Sequence, residues 1–285
     1  GYHSHFYALK KIQCKIIDIA SPNIYKKKIS NNNLRKFKNY KLALKKNKYD
    51  LITCAVPPLI QEKIINYIMK KNISVKYLFF EKPYAINLRL LKKSINYFTK
   101  KNILINVNFI FPKNTQWIEF IKLLKGETIT SIKYRWFFKQ TFYINFQKSW
   151  KIIENQGGGI YYNYLIHLIY NILFIFKEIK ILEIKKYINN YNYVDNININ
   201  VLCDNKIPCQ IKISNNSKNN IHHIKTESKK NIIELLNNSK NWTKNFKLLK
   251  NKKIIINKKN DNLNERYNLT YKNLKELLKN NNFQK

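Results

Sequence analysis

Short apolar runs alternate with amphipathic stretches through the first half of the chain. Residues 14–20 (CKIIDIA), 51–56 (LITCAV), 77–80 (YLFF) and 103–109 (ILINVNF) are largely apolar without strict alternation. That pattern predicts strands covered on both faces. Residues 58–72, 86–101 and 113–125 instead repeat their apolar positions at helical spacing,. Strand, helix, strand, helix implies a parallel, doubly wound sheet with right-handed crossovers. The stretch 21–49 is rich in Lys and Asn and predicts only short helices and loops.

The pattern changes after about residue 126. Residues 128–141 (TITSIKYRWFFKQT) predict a long strand. Gly157 to Phe176 predicts a helix opened by glycines; its most apolar stretch, Ile160 to Phe176, is about 17 residues with Asn163 and His167 inside it, and suits a buried core better than a membrane,. Segments 179–190, 196–203, 207–214, 220–227 and 231–236 follow as strands, with Asp204-Asn205 a turn signal,. Segment 249–268 reads as polar and loose, and 271–280 as a closing helix. The expected fold is α/β: a parallel Rossmann-like domain over 1–112, then an α+β domain over 113–285 with a largely antiparallel, open sheet.

Composition narrows the functional classes. The chain has 285 residues, 45% of them apolar, which excludes a disordered tail or a disulfide mini-scaffold,. The formal net charge is +38, from 54 basic and 16 acidic residues. Fifty of the cations are Lys and only four are Arg, and they are spread along the chain. A surface reading nucleic-acid bases uses Arg, whose guanidinium is bidentate. The charge therefore reads as a solvated Lys coat that would bind polyanions loosely, with a dedicated polyanion-binding protein as the alternative. Cys14, Cys54, Cys203 and Cys209 form no C-x-x-C pair, and His222-His223 has no partner at metal-ligand spacing, so no metal site is expected,. Four thiols suit a reducing cytoplasm.

Three places hold candidate chemistry. Glu81-Lys82-Pro83 follows the strand YLFF, where open parallel sheets bind ligands, although an ordinary strand-to-helix turn has the same outline,. Gly157-Gly158-Gly159 gathers three of the five glycines and precedes IYYNYLIH. A glycine-opened helix permits close backbone approach and offers amide donors. Asn163 and His167, spaced i, i+4, would share its face, and a His can take a hydroxyl proton near neutral pH. Gly1-Tyr2-His3-Ser4, ahead of a helix and the strand 14–20, matches the second half of a dinucleotide-binding turn,. The strand and first glycine of that turn are not in the sequence, so the expected sheet lacks its first strand.

Together these motifs resemble the glucose–fructose oxidoreductase/inositol dehydrogenase (Gfo/Idh/MocA) family over nearly the whole chain. YDLITCAVPPLIQEKIINYIMKKNISVKYLFFEKPYA is similar to its E-K-P region, and SWKIIENQGGGIYYNYLIHLIY to its Gly-run-to-His region. The resemblance implies an NAD- or NADP-dependent oxidoreductase acting on a secondary alcohol of a sugar, cyclitol or sugar nucleotide. Lys82 would hold the reacting hydroxyl, His167 would accept its proton, and Asn163, where many members have Asp, would orient substrate. Gly1, Tyr2, His3, Ser4, Ser21, Val56, Pro57, Pro58, Gln61 and Glu81 would line the cofactor. Trp150, Lys151 and Tyr161 would line the substrate, with Lys151 replacing an Arg and losing its fork. Ser21 stands where NAD-specific members have Asp, which leaves NAD and NADP both open. The resemblance also implies a homo-oligomer, dimer or tetramer, formed through the C-terminal sheet. Without the acid and with Asn163, a catalytically inactive ligand-binding relative is the first alternative, and the polyanion-binding protein is the second.

Overall fold

The computed structural model describes residues 2–26, 34–46, 48–140, 149–190, 192–257 and 265–279. The chain divides into two compact units: Gly1–Asn108 with Thr270–Lys285, and Phe109–Leu269. The closing segment thus groups with the first unit, whereas the sequence pattern assigned it to the second.

The first unit opens on helix Tyr2–Lys11 and contains strands β1 (Ile17–Ala20), β2 (Leu34–Phe37), β3 (Lys48–Cys54), β4 (Ser74–Phe80) and β5 (Leu104–Val107). All pair in parallel, as expected, in two ladders, β1-β2 and β3-β4-β5. No ladder joins β1 to β3 among the described residues. A side-chain link spans the two: Tyr49 donates to Asp18 at 3.2 Å, and Asp18 also takes both arms of Arg35 at 2.6 and 2.9 Å. Strand β2 lies in the stretch expected to hold only short helices and loops. Its sequence, LRKF, has two cations in four residues and carries no apolar signal.

Strand β4 explains its own apolar run. Leu78 and Phe80 pack with Ile64, Ile65 and Ile68 of helix Pro58–Lys70 and with Leu90 and Phe98 of helix Leu88–Lys100. Tyr77 and Phe79 face the other way, onto Ala8 of the N-terminal helix and Leu274 and Leu277 of the closing helix Arg266–Lys279. Burial of each such large side chain contributes about 1.5–3 kcal/mol. The doubly wound arrangement is therefore completed by residues from the far end of the sequence.

The second unit is built on one eight-stranded sheet. Its strands are β6 (Ile129–Lys139), β7 (Ile179–Ile188), β8 (Val194–Cys203), β9 (Ile207–Ser214), β10 (Asn216–Ser228), β11 (Ile232–Asn237), β12 (Lys247–Lys250) and β13 (Lys253–Asn257). The order is β13-β12-β11-β10-β6-β9-β8-β7, antiparallel except for β6 against β9. Strand β13 falls inside the segment expected to be loose. Its three isoleucines sit among lysines at the sheet edge, where pairing with β12 is enough to order them. Strand β8 alternates as a one-sided sheet requires: Ile197, Ile199 and Val201 enter the core while Asn196, Asn198 and Asn200 stay half exposed,. Helices Thr115–Leu124 and Ile166–Leu173 cover the inner face through Trp117, Phe120, Leu168 and Ile172. Among the described residues no helix is long and apolar enough to cross a membrane.

Candidate functional site

Within the first unit, the Glu81-Lys82-Pro83 turn follows β4 directly and contains a cis Lys82–Pro83 bond. Lys82 is half exposed. The turn is gripped from below by the helix that begins at Pro58, a residue suited to a first helical position,. Gln61, 1% exposed, sets its Nε2 2.9, 3.0 and 2.9 Å from the carbonyl oxygens of Glu81, Pro83 and Tyr84. An amide nitrogen has two hydrogens, so three carbonyls share them. The adjacent Glu62 accepts from the amides of Ile86 and Asn87 at 2.6 and 2.8 Å. Glu81 turns one carboxylate oxygen into the unit, where it accepts from His5 Nε2 at 3.0 Å and Asn108 Nδ2 at 3.1 Å. Gln61 and Glu81, expected at the cofactor, thus commit these atoms to holding the turn.

Three more expected cofactor positions stand at carboxyl ends of strands. Ser21 ends β1 and donates its amide to Phe37 at 3.0 Å, while Val56 and Pro57 follow β3 and are half exposed. Ser4 is 5% exposed inside the N-terminal helix, which Tyr2 and His3 begin. Gly1 lies outside the described residues.

Within the second unit, the glycine run serves packing. Gly157 and Gly159 hold φ of 83° and 72°, in the left-handed region,. A Cβ on Gly158 would lie 2.6 Å from the Lys151 carbonyl carbon and closer still to the Trp150 carbonyl oxygen. The amides expected to face a ligand are already used: Gly157 donates to Glu154 at 2.9 Å and Gly158 to Ile153 at 3.0 Å. Nor is the following segment one regular helix. Tyr161–Leu165 is a π turn, and the α-helix begins at Ile166. The wider turn breaks the simple i, i+4 face expected for Asn163 and His167.

The glycine run clamps the strip bearing Trp150 and Lys151, and Asn163 ties it down: its Nδ2 donates to the Lys151 carbonyl at 2.7 Å. Partial desolvation, then the nearby Arg266, lowers the Lys151 pKa. Desolvation, then Glu154, raises that of Tyr161. His167 is 5% exposed and stands edge-on to Phe109, Phe111 and Trp136, with ring centroids 5.7, 5.2 and 6.1 Å away.

Two buried polar groups escape sequence reasoning. One joins His5, Glu81, Asn108, Thr270 and Asn273, the last 165 positions from Asn108. The other centres on His222, stacked on Trp136 at 4.4 Å and bonded to the Tyr134 hydroxyl at 3.1 Å, which also takes the Asn171 amide at 2.8 Å. Burial, then His223, pushes the His222 pKa down to about 3. Its face of β10 carries Asn220, Ile224, Thr226 and Ser228, so no apolar pattern in the sequence marked it as buried.

No model of a known sequence family matches the chain. No curated protein matches it either. Solved structures do. A D-galactose-1-dehydrogenase from Rhizobium etli aligns with a TM-score of 0.78 at 13% identity, covering 98% of this chain and 84% of that one. The WlbA dehydrogenase from Bordetella pertussis, in complex with NADH and UDP-GlcNAcA, aligns at 0.76 and 13%, covering 98% and 85%. The chain shares the fold of these two dehydrogenases. Gal80p of Saccharomyces cerevisiae, a super-repressor mutant in that structure, aligns at 0.74 and 13%, covering 100% and 82%. Fold alone therefore does not choose a function, since the same fold is shared by dehydrogenases and by Gal80p,.

Proposed function

We propose that the chain is a nicotinamide-dependent oxidoreductase acting on a secondary alcohol of a sugar, cyclitol or sugar nucleotide. The observation that carries this is the care with which the Lys82 turn is built. Gln61, Glu62, His5 and Asn108 all hold it, at the carboxyl end of a parallel strand where open α/β sheets bind ligands,. The dehydrogenase neighbours support the reading.

Bound NAD or NADP would supply the hydride acceptor. Ser21, Val56 and Pro57 fit it, since they stand at strand ends with partly exposed surface. Asp18 stands early in β1 and takes both arms of Arg35, and Ser21 at the strand end has no carboxylate to select the NAD ribose,. In this reading Lys82 donates to the reacting hydroxyl and His167 accepts the proton as the alcohol becomes a ketone. Trp150, Lys151 and Tyr161 bind substrate, and Asn163 holds their strip in place. The half-covered outer face of the sheet, with Phe137, Ile221 and Leu236 among its polar residues, pairs with a second copy. The setting is the cytoplasm, where four free thiols are stable,.

Turnover of NAD(H) or NADP(H) against a panel of sugars and sugar nucleotides tests this. Lys82→Ala, with its unfolding midpoint held, and His167→Gln, which keeps most of the buried volume, should each cut it at least about 100-fold. Wild-type rates in both would refute the roles. The Gal80p likeness, with the Asn163 amide spent on Lys151, supports a second reading: a ligand-binding relative without catalysis. Thermal stabilisation by nicotinamide without turnover on any substrate would favour it. Light scattering of the purified protein checks the second copy, and a monomer would refute it.

A further inference from the structure

We propose that Asn108 is a positioning residue for Lys82, acting by locking the Glu81 carboxylate between the end of β5 and the closing helix. Asn108 is 2% exposed, and its amide is used at both ends. Nδ2 lies 3.1 Å from the Glu81 carboxylate and 3.2 Å from the Thr270 hydroxyl, and Oδ1 lies 3.0 Å from Asn273 Nδ2. Thr270 is fully buried and Asn273 is 3% exposed.

The chemistry sets one direction through this chain. A carboxylate only accepts, so Asn108 must present its NH2 to Glu81. Its oxygen then faces Asn273, which must present an NH2 in turn. Reversing either amide would leave two acceptors or two donors facing each other in a buried place, where each unmade bond costs about 1–3 kcal/mol. His5 supplies the second donor to the same Glu81 oxygen at 3.0 Å, its ring packed 5.2 Å from Phe79. Glu81 is thus fixed through its side chain by His5 and Asn108 and through its carbonyl by Gln61. Lys82 is the next residue, so its backbone inherits that restraint. The closing helix is thereby wired to the Lys82 turn by polar bonds, in addition to the packing of Leu274 and Leu277 on Phe79.

The functional meaning of the network rests on the oxidoreductase reading, so the test separates the two. Acylation rates of individual lysines in the full chain, read by mass spectrometry after brief exposure to an N-hydroxysuccinimide ester, report the order of Lys82 directly. The exposed Lys63 and Lys70 of the neighbouring helix serve as internal references. Asn108→Leu should raise the Lys82 rate about threefold or more relative to them, as coupled neighbours do. Leu277→Ala, which loosens the closing helix without touching a polar partner, should lower the unfolding midpoint and leave the Lys82 ratio unchanged. An unchanged ratio in Asn108→Leu, or an equal rise in Leu277→Ala, overturns the proposal. If Asn108→Leu does not fold, Asn273→Ala carries the same comparison. Titration of the wild type with NADH and NADPH, followed by nicotinamide fluorescence, decides the other question. A wild type that binds neither refutes the oxidoreductase reading, while the lysine ratios stand on their own.

Discussion

His222 makes the stability of the second unit depend on pH in a calculable way. Its ordinary pKa of 6.5 falls to about 3 in the folded chain, because burial against Trp136 and Tyr134 disfavours the imidazolium,. The unfolded chain takes up a proton below 6.5 that the folded chain refuses until about 3. The unfolded state therefore binds more protons across that window, and stability drains away as the pH falls. The stability is fully present above 6.5. One proton gives a slope of about 1.4 kcal/mol per pH unit well inside the window, which amounts to about 2 kcal/mol between pH 7.5 and pH 5. The perturbation is His222→Gln, which keeps a polar group near the Tyr134 hydroxyl but cannot titrate. Urea unfolding of wild type and variant, each at several pH values from 7.5 to 5, isolates the group when both also carry His223→Gln, which removes the one histidine coupled to it. The wild type should lose about 2 kcal/mol more than the variant over this range. A difference that stays flat with pH would refute the buried, neutral imidazole.

Gly158→Ala should destabilise by more than about 2 kcal/mol in urea unfolding, because its Cβ meets backbone and not a movable side chain,. Gly126→Ala, at φ 82° with open space around it, should cost only about 1 kcal/mol; similar losses in both would refute the packing account of the glycine run,. In the native protein Cys14, half exposed, should react with an aromatic disulfide reagent well before Cys54, Cys203 and Cys209, and all four should react in urea. Burial pushes the Cys54 thiol up to about 12, which leaves almost no thiolate at neutral pH, so prompt native labelling of Cys54 would contradict its burial,.

What the sequence disclosed and what it hid divide on physical grounds. The β4 run YLFF betrayed a strand covered on both sides because it is too short for a buried helix and lies between two helical stretches,. The Ile-Asn alternation of β8 betrayed a one-sided sheet for the complementary reason. Strand β2 was illegible because LRKF is held by its parallel partner and by Asp18, neither of which shows in four residues. The candidate turn at Glu81-Lys82-Pro83 was found in place, but the inward use of Glu81 and Gln61 was not. Their partners lie in other elements, and hydrogen-bond direction leaves no mark on periodicity. The glycine run does give the close backbone approach expected of it, against Trp150 and Lys151, but the amides of Gly157 and Gly158 close turns on Glu154 and Ile153 instead of facing outward. The polar tie from Asn108 to Asn273 spans 165 positions, a distance over which a single sequence carries no pairing signal.

The return of residues 270–279 to the first unit bears on how this protein is made. All of Phe109–Leu269 is synthesised between the two parts of the first unit. Tyr77 and Phe79 therefore stay bare until residues 270–279 are made. A chaperone that shields exposed aromatic surface would therefore find its longest-lived target on β4, ahead of the whole second unit in the order of synthesis.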